Sequence, residues 1–224
     1  MLHAFNHKGV RRILASRHDD HTNDRNEDAI TSMVFSPLTF MRTEDVWTII
    51  RNLLGLNMPD RYQTQTPTTH EIRLWPKGLK AKSSNGVFVS RCEPDVVMRF
   101  PMVDLPTLTI TCEMKWTWAI HPDDLLREIR REREAVQRDH PHDATLLVAL
   151  TQAADPIRDA DVVNMRWAHV HGVARHLGRA SGPSQVQEWG KQISTFLEKA
   201  GQVSFGGFTI DPVDLISEWV TGEN

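Results

Sequence analysis

The sequence predicts a domain of the α+β class, in which helices cover the faces of a central sheet. Apolar residues recur at helical spacing in the first and last parts of the chain. Three strand-like segments follow one another between residues 70 and 118, and a short apolar run, ATLLVALT, comes after a long amphipathic segment. The predicted order is helix, three mostly antiparallel strands, helix, strand and further helices. We expect one domain over residues 1–224, with a core over about 23–180 and a C-terminal helical extension over about 181–224.

Composition is that of an ordinary globular domain. Of the 224 residues, 40% are hydrophobic and 25% charged, and the net charge is -3. This mild acidity does not argue for nucleic-acid binding, although a local basic surface remains compatible with it. No apolar run approaches the roughly 18 residues of a membrane span, and the N-terminus shows no secretory signal. Two cysteines do not make a disulfide framework, so we expect a cytoplasmic protein that does not associate with membranes.

Two helices are predicted before the strands. The first begins with polar capping residues at Asn23 and ends or bends at Pro37. The second, TEDVWTIIRNLLGL, has Thr43 as its N-cap and Gly55 as its stop. Residues 57–70 are expected to form a loop.

The middle and the end of the chain alternate between strand and helix patterns. The three antiparallel strands are predicted in HEIRLWP, GVFVSRCEPDVVMRF and TLTITCEMKW. The segment from Pro122, HPDDLLREIRREREAVQRDH, predicts a helix. ATLLVALT predicts a buried strand, and VVNMRWAHVHGVARHL a strand that passes into a helix near Trp167. SQVQEWGKQISTFLEKAG predicts an amphipathic helix, and DLISEWV a last helical turn.

The stretch ITCEMKWTW places two opposite charges in a strand that is otherwise apolar. Side chains alternate along a strand, so Glu113 and Lys115 share one face and their apolar neighbours face the other way. If EPDVVMRF pairs antiparallel with this strand, Asp95 comes level with Glu113. Two buried carboxylates repel each other, and therefore such a site needs a cation. A hard divalent ion with oxygen ligands, above all Mg²⁺, meets that need.

These residue types suit phosphodiester hydrolysis. A divalent ion polarises a phosphate oxygen and lowers the pKa of a bound water, and an ammonium orients that water or stabilises the charge that develops on the phosphate. The alternative is structural, because a cross-strand salt bridge at a sheet edge is common and stabilises little.

Pro94-Asp95, a spacer and Glu113-Met114-Lys115 together resemble the signature of the PD-(D/E)XK nuclease superfamily. The resemblance implies the restriction-endonuclease-like fold, with a central mixed sheet and an α-β-β-β-α-β core. It implies Asp95 and Glu113 as metal ligands, Glu27 on the first helix as a third acid that holds metal or water, and Lys115 as the catalytic lysine. The implied cofactor is Mg²⁺, with Mn²⁺ as a substitute. The pattern spans roughly Glu27 to Thr151.

Two internal features make the signature more specific. Lys115 is the only lysine with an acid two residues earlier, and Pro94-Asp95 is the only Pro-Asp pair that leads into a predicted strand. One feature departs from the family. Several exonuclease-like branches carry a Gln-Leu pair early in the helix after the lysine, whereas this helix reads DDLLREIRRER.

Basic residues near this motif are candidates for gripping DNA. The candidates are the loop lysines Lys77, Lys80 and Lys82, and Arg127 and Arg131 on the helix after the motif. The glutamates interleaved with these arginines, Glu128, Glu132 and Glu134, are expected to pair with them at i,i+4 on a solvated face. We further expect Cys92 and Cys112 to be neighbouring buried thiols on the face away from the acids, and His169 and His171 to lie on a helix surface.

The sequence therefore predicts a metal-dependent nuclease that acts on DNA. No base-reading module, helicase or nucleotide-binding loop is visible, so target choice is expected to come from a partner protein such as a helicase or ATPase, or from a homo-oligomer. A bacterial anti-phage or restriction-type complex is the expected setting. The alternative is a nuclease-fold subunit that binds nucleic acid or a partner without cutting. A third option, an RNA-cleaving toxin-like effector, uses the same site.

Overall fold

The computed structural model describes residues 23–82, 89–116, 120–152 and 157–202. The helices are α1 (Asn23–Phe35), α2 (Thr43–Leu54), α3 (Asp60–Gln63), α4 (Pro122–Asp139), α5 (Trp167–Arg179) and α6 (Ser184–Lys199). Short 3₁₀ segments follow α1 (Ser36–Phe40) and α2 (Gly55–Asn57). The strands are β1 (Glu71–Leu74), β2 (Lys80–Lys82), β3 (Val89–Arg91), β4 (Val96–Phe100), β5 (Leu108–Met114), β6 (Ala144–Thr151) and β7 (Val162–Arg166).

Five of the strands form one mixed sheet in the order β1-β4-β5-β6-β7. β4 pairs antiparallel with both β1 and β5, as predicted, whereas β5, β6 and β7 are parallel. The parallel step from β5 to β6 is a crossover through α4, which is the connection that a parallel pair requires. β2 and β3, which lie between β1 and β4 along the chain, pair with each other in a separate two-stranded sheet. The sheet and its helices confirm the predicted α+β class.

β5 occupies the centre of the sheet, and all seven of its residues are buried. Its side chains point alternately to the two faces of the sheet, and each face is covered by a different layer of helices. Ile110, Cys112 and Met114 point into the main core, which α1, α2, α5 and α6 close. The opposite face lies under α4, where β6 contributes Leu147 and Ala149 to a second apolar cluster. Glu113 therefore points towards the α4 layer.

α5 and α6 pack with their backbones in unusually close contact at two glycines. A Cβ atom added at Gly190 would lie 2.4 Å from the backbone nitrogen of Gly178 and 2.6 Å from the carbonyl oxygen of Ala174. Those distances are shorter than real Cβ contacts, so no side chain fits there without moving a helix. This contact fixes the spacing between α5 and α6.

Several predicted boundaries were wrong. Residues 57–70, expected to be a loop, contain the short helix α3 and the end of a 3₁₀ segment. The second predicted strand is split into β3 and β4, with a non-strand stretch between them. Arg42 rather than Thr43 is the N-cap of α2. The predicted last turn in DLISEWV lies outside the described residues. Among the helices that are described, none has the length and apolar character needed to cross a bilayer.

We expect Gly190→Ala to lower the free energy of unfolding by about 1–3 kcal/mol, the usual cost of overpacking a close contact. This direction opposes the stabilisation that alanine normally gives in the interior of a helix. Urea denaturation of the variant and of Gly182→Ala, where no atom lies within 4 Å of the added Cβ, provides the comparison. Equal stability of the two variants would show that the helices can separate at no cost.

Candidate functional site

Asp95 and Glu113 lie level with each other on neighbouring strands. The antiparallel register pairs Val96 with Cys112, and one further step along both strands brings Asp95 opposite Glu113 on the same face. Both side chains are buried, with 8% of Asp95 and 3% of Glu113 exposed. Burial raises the pKa of both carboxyls, and for Glu113 the charges of Glu132 and Asp95 raise it further. The juxtaposition expected from the sequence is thus present.

Hydrogen bonds from two other residues hold the Asp95 carboxylate in place. The backbone N–H of Met114 donates to Oδ2 (2.7 Å), and the indole Nε1–H of Trp75 donates to Oδ1 (3.2 Å). The backbone N–H of Trp75 also donates to the carbonyl oxygen of Asp95 (3.0 Å). Trp75 adopts φ +47°, a left-handed conformation that is uncommon for a residue with a large side chain. No local pattern in the sequence indicated that Trp75 positions Asp95.

Lys115 lies just beyond the end of β5, with its ammonium among three carboxylates. Nζ is 2.5 Å from Glu113 Oε1, 3.5 Å from Glu27 Oε1 and 3.8 Å from Glu128 Oε2. Burial alone lowers the pKa of an amine, but the charges of Glu113, Glu27 and Glu128 outweigh it and raise the pKa of Lys115. The side chain is therefore a stable cation at neutral pH, and 19% of it is exposed.

Glu27 joins the first helix to this group. Its Oε2 accepts a 2.6 Å hydrogen bond from the backbone N–H of Trp116, while Oε1 faces Lys115. Burial raises the pKa of Glu27 to about 7, although Lys115 and the hydrogen bond from Trp116 act in the opposite direction. All four residues of the predicted site, Glu27, Asp95, Glu113 and Lys115, thus meet at the same end of β5.

α4 adds two acids that sequence reasoning assigned to a solvated face, and for Glu132 that expectation was wrong. Glu132 is only 2% exposed, and Glu128 is half-buried. One carboxylate oxygen from each of Glu113, Glu128 and Glu132 lies within 4.8 Å of the other two. Among the described residues, no other three His, Cys, Asp or Glu side chains come this close together. Burial and the charge of Glu128 raise the pKa of Glu132 to about 8. The signal for its burial is its spacing, since Ile129 and Val136 of the same apolar stripe flank it.

Of the residues predicted to grip DNA, both arginines contact other side chains of the protein. Lys77 and Lys80 are exposed, and the side chain of Lys82 lies outside the described residues. Arg127 forms an ion pair with Asp124, and Arg131 hydrogen-bonds to the Cys92 thiol. The prediction that the arginines of α4 pair with the interleaved glutamates was also wrong. In the contacts described, Arg130 and Arg133 pair with the aspartates Asp159 and Asp161.

Two further expectations were wrong. Cys92 and Cys112 are buried free thiols, as expected, but they are not neighbours. Cys92 lies in a third apolar cluster with Ala135 and Val136 of α4, whereas Cys112 faces the main core on the other side of the sheet. The split of the predicted second strand explains this, because the alternation does not continue from Cys92 into β4. His171 is buried rather than on the surface, with Nε2 3.3 Å from Glu198 Oε1. His169 is exposed, as expected, and its Nε2 lies 2.9 Å from the carbonyl oxygen of Leu53.

Comparisons of the chain with protein-family models, with curated proteins and with solved structures gave no match. What the site can do is therefore argued from its own geometry and charge.

The raised pKa of Glu132 predicts a pH-dependent stability. A carboxyl whose pKa is about 8 when folded and 4.5 when unfolded favours folding in its protonated form, so its contribution falls as pH rises from 4.5 to 8. In a chelator, we expect Glu132→Gln to gain stability relative to the parent over this window by more than about 1.4 kcal/mol, the free energy of one pKa unit, because the two pKa values differ by more than one unit.

Urea denaturation at pH 5 and pH 8 measures this gain. Glu134→Gln replaces an exposed acid of the same helix and is expected to follow the parent at both values. A constant difference between Glu132→Gln and the parent would contradict the burial of an ionisable carboxyl at this position.

Proposed function

We propose that this protein is a metal-dependent nuclease that hydrolyses phosphodiester bonds in DNA. The observation that carries the proposal is the position of Asp95 level with Glu113 on adjacent strands, with the Lys115 ammonium 2.5 Å from Glu113. Adjacent buried acids with a cationic side chain beside them are compatible with metal-assisted phosphoryl chemistry.

The charge of the group supports a divalent cation as its cofactor. The carboxylates of Glu27, Glu113 and Glu128 lie within 3.8 Å of the Lys115 ammonium, and those of Asp95 and Glu132 lie close to Glu113. A buried excess of negative charge is costly unless a cation compensates it. Every available ligand atom is a carboxylate oxygen, which suits Mg²⁺ or Mn²⁺ rather than a soft metal. Asp95 and Glu113 would hold the ion. The carboxylate oxygens of Glu27, Asp95 and Glu113 do not all lie within 4.8 Å of one another, so Glu27 would act as the third acid through a water. When bound, the ion supplies Lewis-acid stabilisation of the phosphate and lowers the pKa of water.

The side chains of the protein have separate roles in this proposal. Lys115 keeps its proton and donates hydrogen bonds to a non-bridging phosphate oxygen or to the attacking water, where negative charge develops in the transition state. Glu27, with a pKa of about 7, is placed to accept a proton from that water at Oε1. Met114 and Trp75 fix Asp95 through hydrogen bonds and so restrict its orientation.

The choice of DNA and of a biological setting depends on the resemblance to the nuclease superfamily. Exposed Lys77 and Lys80 are available for phosphate contacts. The proposed setting is the effector subunit of a bacterial anti-phage or restriction-type complex in the cytoplasm. A helicase, an ATPase or a second copy of the chain would then deliver the substrate.

One observation favours a second candidate, a nuclease-fold subunit that binds nucleic acid or a partner without cutting. Both oxygens of Asp95 accept hydrogen bonds, and Lys115 pairs with Glu113. These contacts compensate part of the negative charge without any metal, so the acids are also compatible with a structural role.

Incubation of the purified protein with circular, linear and single-stranded DNA and with RNA, in Mg²⁺ or in a chelator, tests the proposal. We expect DNA cleavage that needs Mg²⁺ or Mn²⁺. Asp95→Asn and Lys115→Ala are each expected to lower the rate by about 10²-fold or more, the effect of removing one preorganised stabiliser of transition-state charge.

Lys191→Ala, which removes an exposed lysine of α6, is the matched control and is expected to cut at the parent rate. Circular dichroism shows whether each variant folds. If folded Lys115→Ala cuts as fast as the parent, the proposed mechanism is wrong. Cleavage of RNA alone would indicate the toxin-like alternative.

A further inference from the structure

We propose that Glu113, Glu128 and Glu132 form a second divalent-cation site, in addition to the position between Asp95 and Glu113. This site takes two of its three ligands from α4, which the nuclease signature does not include. The catalytic use of this ion depends on the function proposed above, but its binding does not.

The spacing of the three carboxylates fits a single ion. Glu128 and Glu132 are four residues apart on α4, so both side chains extend from the same face of the helix. One oxygen from each of the three glutamates lies within 4.8 Å of the other two. Oxygen ligands lie roughly 2.0–2.6 Å from Mg²⁺ or Ca²⁺, so two ligands of one ion are separated by at most about 5 Å.

A buried oxygen without a partner is an independent sign of a missing ligand. Glu132 is 2% exposed, and its Oε2 has no hydrogen-bond partner. Leaving a buried acceptor unsatisfied costs about 1–3 kcal/mol, and more when the group is charged. The Thr111 hydroxyl, on the same face of β5 as Glu113, is also buried without a partner. A hydrated cation in the α4 layer would supply what these oxygens lack.

The charges are consistent with a divalent ion. Lys115 contacts Glu113 and Glu128, so three carboxylates against one ammonium leave two negative charges. The competing arrangement is an acid pair, because Glu132 also forms a side-chain hydrogen bond with Glu113. In that case one of the two carboxyls carries a proton and no ion is needed. The two arrangements differ in whether Glu132 is required for metal binding.

Titration with Mn²⁺ distinguishes them, because the electron paramagnetic resonance signal of free Mn²⁺ reports how many ions the protein binds. We expect two ions on the parent protein. Glu132→Gln is expected to weaken one of them by at least 10-fold and leave the other in place, and Asp95→Asn is expected to weaken the other. Glu134→Gln, which removes an exposed acid of the same helix, is the control and should bind two Mn²⁺ ions.

Equal Mn²⁺ binding by the parent and Glu132→Gln overturns the inference, as does an absence of bound Mn²⁺ on the parent. Glu128→Gln changes a half-buried ligand and repeats the test if Glu132→Gln does not fold. A cleavage assay on the same samples separates this inference from the proposed function. Loss of one ion in Glu132→Gln without any cleavage by the parent supports the cation site and refutes the nuclease. If the parent protein cleaves DNA but its Mn²⁺ binding does not depend on Glu132, only the second site is refuted.

Discussion

The burial of several carboxylates around one ammonium at the end of β5 is the constraint on which the rest of the structure depends. Like charges taken out of water repel strongly, so each of them must be held by a specific partner. Glu27 on α1 is held by the backbone N–H of Trp116, and Asp95 by that of Met114. Lys115 meets Glu113 and Glu128, and through the latter it reaches α4. The first helix, the antiparallel strands and the crossover helix are therefore connected at a single polar junction, and the same contacts that position the acids also position the elements.

The sequence was sufficient to predict those parts of the site that follow from local rules. Alternation along a strand places Glu113 and Lys115 on one face, and antiparallel pairing brings Asp95 level with Glu113. Glu132 was missed because a charged residue in a helix rich in arginine and glutamate is normally solvated, and its position in the apolar stripe of α4 was outweighed by its charge. Trp75 could not be predicted, since its role depends on a left-handed turn that no local pattern announces.

The same distinction applies to the fold. Helix and strand types followed from periodicity because the stripes are long, and β6 was recognisable as a short, fully apolar run. The separate hairpin of β2 and β3 was missed, and with it the side of the sheet on which Cys92 lies. Such an insertion depends on tertiary contacts with α4 rather than on propensity. For this reason β2 was predicted as loop and β3 as part of a longer strand.

Accessibility and charge together suggest an order of events for the proposed nuclease. Glu113 and Glu132 are almost entirely buried, whereas Lys115 is partly exposed, so an incoming phosphate meets the ammonium before the acids. Where these carboxyls are ionised, one ammonium cannot offset the repulsion that they exert on a phosphate diester at short range. In the proposed nuclease a cation would therefore bind before the nucleic acid approaches closely. Because the pKa values of Glu27 and Glu132 are about 7 and 8, this cation would compete with protons for their carboxylates near neutral pH. Metal concentration and pH would then control substrate binding through the same acidic group.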